Sequence, residues 1–231
     1  GDGCVGVSGT SVWRNEIVGD GGLVKSGSGT LILTQGGSYS GDTRVHQGGL
    51  SLGGGLENSQ VFVDQGATVW ADGVVRAIQN NGTWLAGASG TVGTHEFVQG
   101  ATGNLGVWLG NTFQVFGPAT LDVQLSILGV AKGYTTSAKE TLLTAESISG
   151  TFDTLMAAPN VFLDASLSYD ATNVFLDINR IDVTKAVEGM GLGGISIASA
   201  QRVESAMDAI DGQLAGTAPA GIGSAFIDAA G

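Results

Sequence analysis

The residues that could do chemistry in this 231-residue chain are few and widely separated. A serine nucleophile needs a histidine base and an orienting carboxylate within hydrogen-bond reach. Ser11 follows Gly9 and Thr10 in a predicted strand, and the two histidines are His46 and His95. Each histidine stands among small polar residues, as an exposed residue of a strand or turn would. We therefore assign no catalytic residue and expect this segment not to be an enzyme.

Metal and paired-carboxylate chemistry have equally little support. A zinc site takes three or four ligands at workable spacing, and Cys4, the single cysteine, is far along the chain from both histidines. Calcium-binding β-helices repeat Gly-Gly-x-Gly-x-Asp at a fixed period, whereas the stretch GDGG at 19–22 has no second copy. A glycosidase needs two clustered carboxylates, and Asp64 and Asp72 lie in separate predicted turns. The sequence predicts no metal, no cofactor and no acid pair.

Three tryptophans remain as candidates for a binding site: Trp70, Trp84 and Trp108. They fall in or beside predicted strands, where aromatic rings stack between successive coils in the core or as a shelf. A ligand-binding aromatic strip is the alternative interpretation, and the sequence leaves it open.

The composition limits the class of protein. With 40 glycines, 3 prolines, 13% charged and 42% hydrophobic residues, the chain is typical of a folded all-β protein with many turns. Its 21 acidic against nine basic residues give a net charge of −12, which disfavours nucleic acid and anionic lipid as partners. The opening GDGCVGVSGTS has the character of a cut inside a longer protein.

A glycine followed by apolar residues recurs at intervals of roughly 20 residues, as in a solenoid. The recurring units begin at Gly29, Gly48, Gly66 and Gly82. Within the predicted strands, apolar residues alternate with a period of two and point to one face; these pairs are Leu31 and Leu33, Leu50 and Leu52, and Val61 and Val63. We predict a right-handed parallel β-helix over residues 1–118, with a β-sandwich of glycine-rich hairpins as the alternative.

The remaining chain changes character twice. Residues 119–187 contain less glycine and longer alternating stretches, with a turn at Asp170–Asn173, and predict an antiparallel β cap. A cap is needed because an open solenoid end exposes unpaired backbone groups. Residues 188–231 predict a linker and a short α-helix, since apolar residues between 203 and 214 have helical spacing.

The segment 15–52 resembles the autotransporter-associated β-strand repeat. The slots of that repeat are filled by Gly22-Leu23, Lys25, GSGTL at 27–31, Tyr39-Ser40-Gly41-Asp42-Thr43, Val45 and Gly48-Gly49-Leu50, with Gln47 as one extra residue. Residues 134–180 are similar to the autochaperone module of the same family, and 198–211 to the helix that precedes its outer-membrane β-barrel. The resemblance is therefore to bacterial autotransporter (type V secretion) passengers, a family that includes subtilisin-like serine proteases.

This resemblance implies a non-catalytic stem and autochaperone segment that templates folding of the β-helix at the outer membrane. It implies a cell-surface or secreted protein of a Gram-negative bacterium, whose partner is its own C-terminal β-barrel. The residues expected to pack in the folding cap are Leu142, Leu143, Phe152, Leu163, Leu167, Tyr169, Val174 and Leu176. Two alternatives stay open: an adhesin surface that binds a host surface ligand, and the stem of a serine protease or esterase whose catalytic domain lies upstream.

Overall fold

A computed structural model describes residues 1–135, 137–157 and 163–181. The strands are β1 (Gly3–Gly6), β2 (Thr10–Trp13), β3 (Leu23–Ser26), β4 (Thr30–Leu33), β5 (Thr43–Val45), β6 (Gly49–Leu52), β7 (Leu56–Val63), β8 (Thr68–Ala71), β9 (Val74–Asn80), β10 (Thr83–Ala86), β11 (Val92–Gln99), β12 (Asn104–Leu109), β13 (Phe113–Val115), β14 (Pro118–Leu121), β15 (Gln124–Val130), β16 (Lys139–Thr144), β17 (Ser147–Gly150), β18 (Thr154–Ala157), β19 (Leu163–Tyr169) and β20 (Asn173–Ile181). Among these residues no helix has the length and apolar character needed to span a membrane. The α-helix predicted within 188–231 lies outside the described residues.

The strands form two sheets. The first sheet has 12 strands, with the path β1-β3-β5-β7-β9-β11-β13-β16-β20-β19 and with β14 and β17 beside that path. The second sheet has eight strands in the order β2-β4-β6-β8-β10-β12-β15-β18. Strands β1 to β13 alternate between the two sheets and pair in parallel within each, so each coil contributes to both. The predicted all-β parallel solenoid is confirmed, and the β-sandwich alternative is wrong.

The core follows from the two-residue alternation. In the second sheet one inward-pointing residue of each strand lies directly opposite its equivalent on the next strand. This core column consists of Leu31, Leu50, Val69, Trp84, Leu105 and Leu125, each at most 1% exposed. Burying a large apolar side chain contributes roughly 1.5–3 kcal/mol relative to leaving it in water. The predicted pairs Leu31 and Leu33, Leu50 and Leu52, and Val61 and Val63 are all buried.

Glycine is required where the coils turn into the second sheet. Gly48 has φ +70°, a conformation that residues with a β-carbon rarely adopt, and a β-carbon there would collide with the Gly29 carbonyl of the coil before. At Gly49 a β-carbon would lie 2.6 Å from the Trp70 ring. These contacts explain why the repeat carries two consecutive glycines before Leu50.

Lys25 is fully buried near the end of β3, beside the corner that leads to β4. Its Nζ donates hydrogen bonds to the carbonyl oxygens of Ser26 at 2.9 Å, Gly27 at 2.8 Å and Gln47 at 3.0 Å. Burial lowers the pKa of the Lys25 ammonium below its usual range. The side chain satisfies corner carbonyls of two successive coils, including that of Gln47, the residue that is extra to the repeat.

Neutral polar side chains fill equivalent corners further along the chain. Asn80 and Gln99 are opposite each other at the ends of β9 and β11, and Asn80 Nδ2 donates to Gln99 Oε1 at 3.2 Å. Both amides also donate to backbone carbonyls, Asn80 to Asn104 at 2.9 Å and Gln99 to Gln124 at 2.9 Å. Buried polar groups of this kind are stable because they are hydrogen-bonded.

The parallel solenoid extends beyond residue 118, into the segment for which the sequence predicts an antiparallel cap. β14 pairs in parallel with β17, and β15 with β18. The physical reason is that inward residues such as Leu121, Leu125 and Ile127 keep the same alternation and remain buried. Antiparallel pairing of two strands is described where β16 meets β20.

Replacing Lys25 with methionine should reduce the free energy of unfolding by about 1–3 kcal/mol, because the corner carbonyls lose their donor. Chemical denaturation of the purified chain measures this change. Lys139→Met is the matched control, since the Lys139 side chain is 53% exposed and exposed ion pairs contribute under about 1 kcal/mol. Equal stability of Lys25→Met and the parent chain would contradict the assigned role.

Candidate functional site

The structure keeps the candidate residues for serine catalysis apart. Ser11 is half-buried on β2 in the second sheet, whereas His46 follows β5 and His95 lies on β11, both in the first sheet. His46 Nδ1 is 2.5 Å from Asp64 Oδ2, and both side chains are about half exposed. The His95 ring packs 5.3 Å from the Phe116 ring. His46 and Asp64 therefore form a surface pair on neighbouring coils, with Ser11 on another sheet.

Candidate metal ligands and acid pairs are similarly dispersed. Within residues 1–135, 137–157 and 163–181, no three histidine, cysteine or acidic side chains come together as a metal site would require. Cys4 is exposed on β1. Asp64 follows β7 in the first sheet and Asp72 follows β8 in the second, so these two carboxylates occupy different corners of a coil.

The residues predicted for the folding cap lie on or beside the strands that end the first sheet. We call β16, β19 and β20 the closing strands. β16 pairs in parallel with β13 through Phe113 and Leu143, and in antiparallel fashion with β20 through Leu143 and Val174. The strand direction of the sheet therefore reverses between β16 and β20.

Five of the eight predicted cap residues are buried in the core. Leu142, Leu143, Val174 and Leu176 are at most 1% exposed, and Phe152 is 6% exposed. A register shift between Thr141 and Leu143 marks a β-bulge in the pairing of β16 with β20. A bulge places an extra residue in one strand, and Leu142 and Leu143 are both buried although they are consecutive.

The other predicted cap residues have less burial. Leu167 and Tyr169 are half-buried on β19, and the side chain of Leu163 lies outside the described residues. The Tyr169 hydroxyl oxygen accepts a hydrogen bond from the Phe152 N–H at 3.0 Å. Burial raises the pKa of the Tyr169 phenol. This hydrogen bond thus connects β19 to the segment between β17 and β18.

A tight turn joins β19 to β20. Asp170 Oδ1 accepts hydrogen bonds from the N–H groups of Thr172 at 2.8 Å and Asn173 at 2.7 Å. The Asn173 side-chain amide donates to both Asp170 oxygens at 3.0 Å. The Thr172 N–H bond, followed by those from Asn173, holds the pKa of the Asp170 carboxyl below its ordinary value. The predicted turn residues therefore form a locally determined turn.

One apolar column connects the closing strands to the solenoid. Val92, Phe113, Leu143 and Val174 are opposite one another on β11, β13, β16 and β20, and each is at most 1% exposed. We call these four residues the joining column. The Phe113 ring also packs edge-on against Phe97, with ring centres 5.6 Å apart. The core of the parallel coils thus continues without a break into the antiparallel pair.

Comparison with known proteins agrees with this architecture. The family model of the passenger-associated-transport repeat matches residues 23–52. Two extracellular serine proteases of Serratia marcescens are similar over parts of the chain, one 40% identical over 80 residues and the other 43% identical over 67 residues. These matches cover 35% and 29% of the chain but only 7% and 6% of the proteases.

The matched repeat begins at Leu23, the first residue of β3, and ends at Leu52, the last residue of β6. It therefore contains the buried Lys25, the paired glycines before Leu50, and four strands that add to the two sheets. The repeat, the protease relatives and the parallel solenoid together support the interpretation of this segment as an autotransporter passenger β-helix.

Proposed function

We propose that this segment is the non-catalytic stem and autochaperone of a passenger, and that its closing strands template the folding of the coils that precede them. The passenger repeat and the extracellular relatives indicate a secreted or cell-surface protein of a Gram-negative bacterium. In the proposed mechanism the chain crosses the outer membrane with its carboxyl-terminal side leading. Folding outside the cell then proceeds from the closing strands toward the amino-terminal coils.

The observation that supports this proposal most directly is the joining column. A preceding coil gains burial only when a formed neighbour covers its inward side chains, because solenoid repeats contact mainly their neighbours. Leu143 has such a neighbour on each side, Phe113 in parallel and Val174 in antiparallel register. The closing strands thus present both an apolar surface and a strand edge to β13.

The closing strands also have local features that favour early formation. The Asp170 turn connects β19 and β20 through three residues, so closing it costs little chain entropy. Contacts of short sequence separation form faster than distant ones, whereas each solenoid contact requires a complete coil to close.

Addition of coils supplies the driving force in this mechanism. Each new coil buries residues such as Leu50 and Val69 in the core column, at roughly 25 cal/mol per Å² of apolar surface. Folding outside the membrane would oppose return of the chain through it. The single cysteine fits such a route, since an internal disulfide cannot form and lock the chain before export.

Truncation of a closing-strand residue should slow folding more than an equal truncation in a distant coil. Leu176→Ala on β20 and Leu50→Ala on β6 each remove a side chain that is 0% exposed, at an expected cost of about 2–5 kcal/mol. Leu176→Ala should mainly lower the refolding rate, and Leu50→Ala should mainly raise the unfolding rate. Stopped-flow refolding and unfolding of the purified chain separate the two effects.

The two variants serve as each other's control because the deleted atoms and the burial are the same. If Leu50→Ala slows refolding as strongly as Leu176→Ala, the closing strands do not template the coils.

Loss of the joining column should reduce delivery of the passenger to the cell surface. The double substitution Leu143→Ala and Val174→Ala in the full-length protein removes the contact that β13 needs from the closing strands. We expect less passenger on intact cells, measured by antibody labelling and by digestion with external protease. Val12→Ala is the control, since Val12 is 44% exposed. Surface levels of the double variant equal to those of Val12→Ala would refute the export role.

We also propose that the whole protein carries a serine protease domain for which this segment is the stem. The support is that both proteases named above are extracellular and far longer than the matched parts. The residues described here contribute no catalytic group in this proposal. Sequencing the gene upstream of Gly1 tests it, and an unbroken solenoid with no hydrolase domain would overturn it.

A further inference from the structure

The outer face of the second sheet carries a groove between Trp70 and Trp108. The groove has a volume of about 370 Å³ and is also lined by Leu85, Leu128 and Asp72. Trp70 is 42% exposed and, together with the other side chains of this groove, forms a contiguous apolar surface, a feature that often marks a binding site. The folding role proposed above makes no use of this groove.

Glycines in the strands leave room for the groove side chains to lie close to the sheet. A β-carbon on Gly49 would lie 2.6 Å from the Trp70 ring, and one on Gly129 would lie 2.6 Å from the Trp108 ring. A β-carbon on Gly106 would lie 2.6 Å from a methyl group of Leu85. Glycine weakens a strand interior, so three such glycines next to the exposed Trp70 and the half-buried Leu85 and Trp108 indicate a surface shaped for contact.

One wall of the groove, Trp108, is held in place by a hydrogen bond. The Trp108 indole N–H donates to the Ala86 carbonyl at 3.0 Å, which orients the ring. On the far side, the Leu128 methyl groups lie against Gly106, as those of Leu85 do. A pre-formed surface loses little conformational entropy when a ligand binds.

The charge in the groove is a single carboxylate. Asp72 is exposed, and its Oδ1 lies over Gly87 within the groove. Among the residues that the structure describes, no side chain forms an ion pair with Asp72, and no basic residue lines the groove. The whole chain has a net charge of −12, so its field attracts cations toward this site.

From these features we infer that the groove binds an arginine side chain presented by a partner polypeptide. A guanidinium group is planar, stacks on an indole ring and pairs with a carboxylate through two N–H groups. Trp70 provides the ring and Asp72 the carboxylate. The arginine methylenes lie against Leu85 and Leu128, as such stems do on apolar surfaces.

The lining favours this cation over a saccharide. A saccharide site directs several polar groups at hydroxyls, whereas the side chains that line this groove are polar only at Ser51, Asp72 and the indoles. Leucine, alanine and glycine make up the rest, which suits an apolar stem with one charged end.

The test uses the full 231-residue chain and the blocked tripeptide Gly-Arg-Gly as probe. Binding is followed by the indole N–H signals of Trp70 and Trp108 in NMR titrations, with heats of binding as a second measurement. The same tripeptide with citrulline, which is neutral and nearly isosteric with arginine, is the ligand control. We expect saturable shifts of both indole signals with the arginine peptide, weakening as salt is added, and at least about tenfold weaker binding of the citrulline peptide.

Two variants locate the binding site, and one controls for charge. Asp72→Asn preserves the shape of the groove and should weaken arginine binding about threefold to fivefold. Trp70→Ala should weaken it by a similar factor, with folding checked by circular dichroism. Asp20→Asn makes the same change in net charge at another exposed aspartate and should leave the affinity within about twofold, since its charge is distant and screened.

Three outcomes would overturn the proposal. One is equal binding of the arginine and citrulline peptides. Another is an equal loss of affinity in Asp20→Asn and Asp72→Asn, which would mean nonspecific attraction to an acidic protein. The third is the absence of any indole shift with the peptide, including the case in which maltotriose or another neutral saccharide shifts the same signals instead.

Discussion

The whole solenoid depends on contact between each inward side chain and the residues directly above and below it. Leu50, for example, is covered by Leu31 on one side and Val69 on the other. Side chains alternate between the two faces of a strand, so a slip of one residue would turn the buried set toward water. Every corner must therefore deliver its strand in the correct register. Gly48 does so through its conformation, and Lys25 does so by binding corner carbonyls of adjacent coils.

The same constraint explains how far the sequence could predict the fold. The alternation in LILT and LSLG identifies inward residues without any knowledge of the partner strand, because period two is a local property. The register between coils is not local. Counting from Gly66 to Gly82 would set Thr83 opposite Ala67, yet Thr83 pairs with Thr68. Because of this one-residue shift, Trp84 lies opposite the inward-pointing Val69 and is buried, whereas Trp70 points outward. The sequence alone therefore could not distinguish the buried tryptophan from the exposed one.

The closing strands show a similar division between local and nonlocal information. The Asp170–Asn173 turn was predictable because its hydrogen bonds join residues close in sequence. The reversal at β16 depends on a pairing between Leu143 and Val174, which no short pattern specifies. The burial of Lys25 was also missed, since lysine is rarely inside. Its signals were its slot in the repeat and its position near the end of β3, next to a glycine-rich corner with free carbonyls.

The connections between paired strands differ greatly in length while the stacking stays the same. The chain from Val69 to Trp84 is about half as long as that from Leu125 to Leu155, yet both pairs are in register in the second sheet. Extra residues are accommodated outside the walls of the solenoid, at its corners. Such an architecture can gain or lose loops during evolution without a change in its core. A foreign peptide inserted at a corner would be displayed at a defined position along the solenoid.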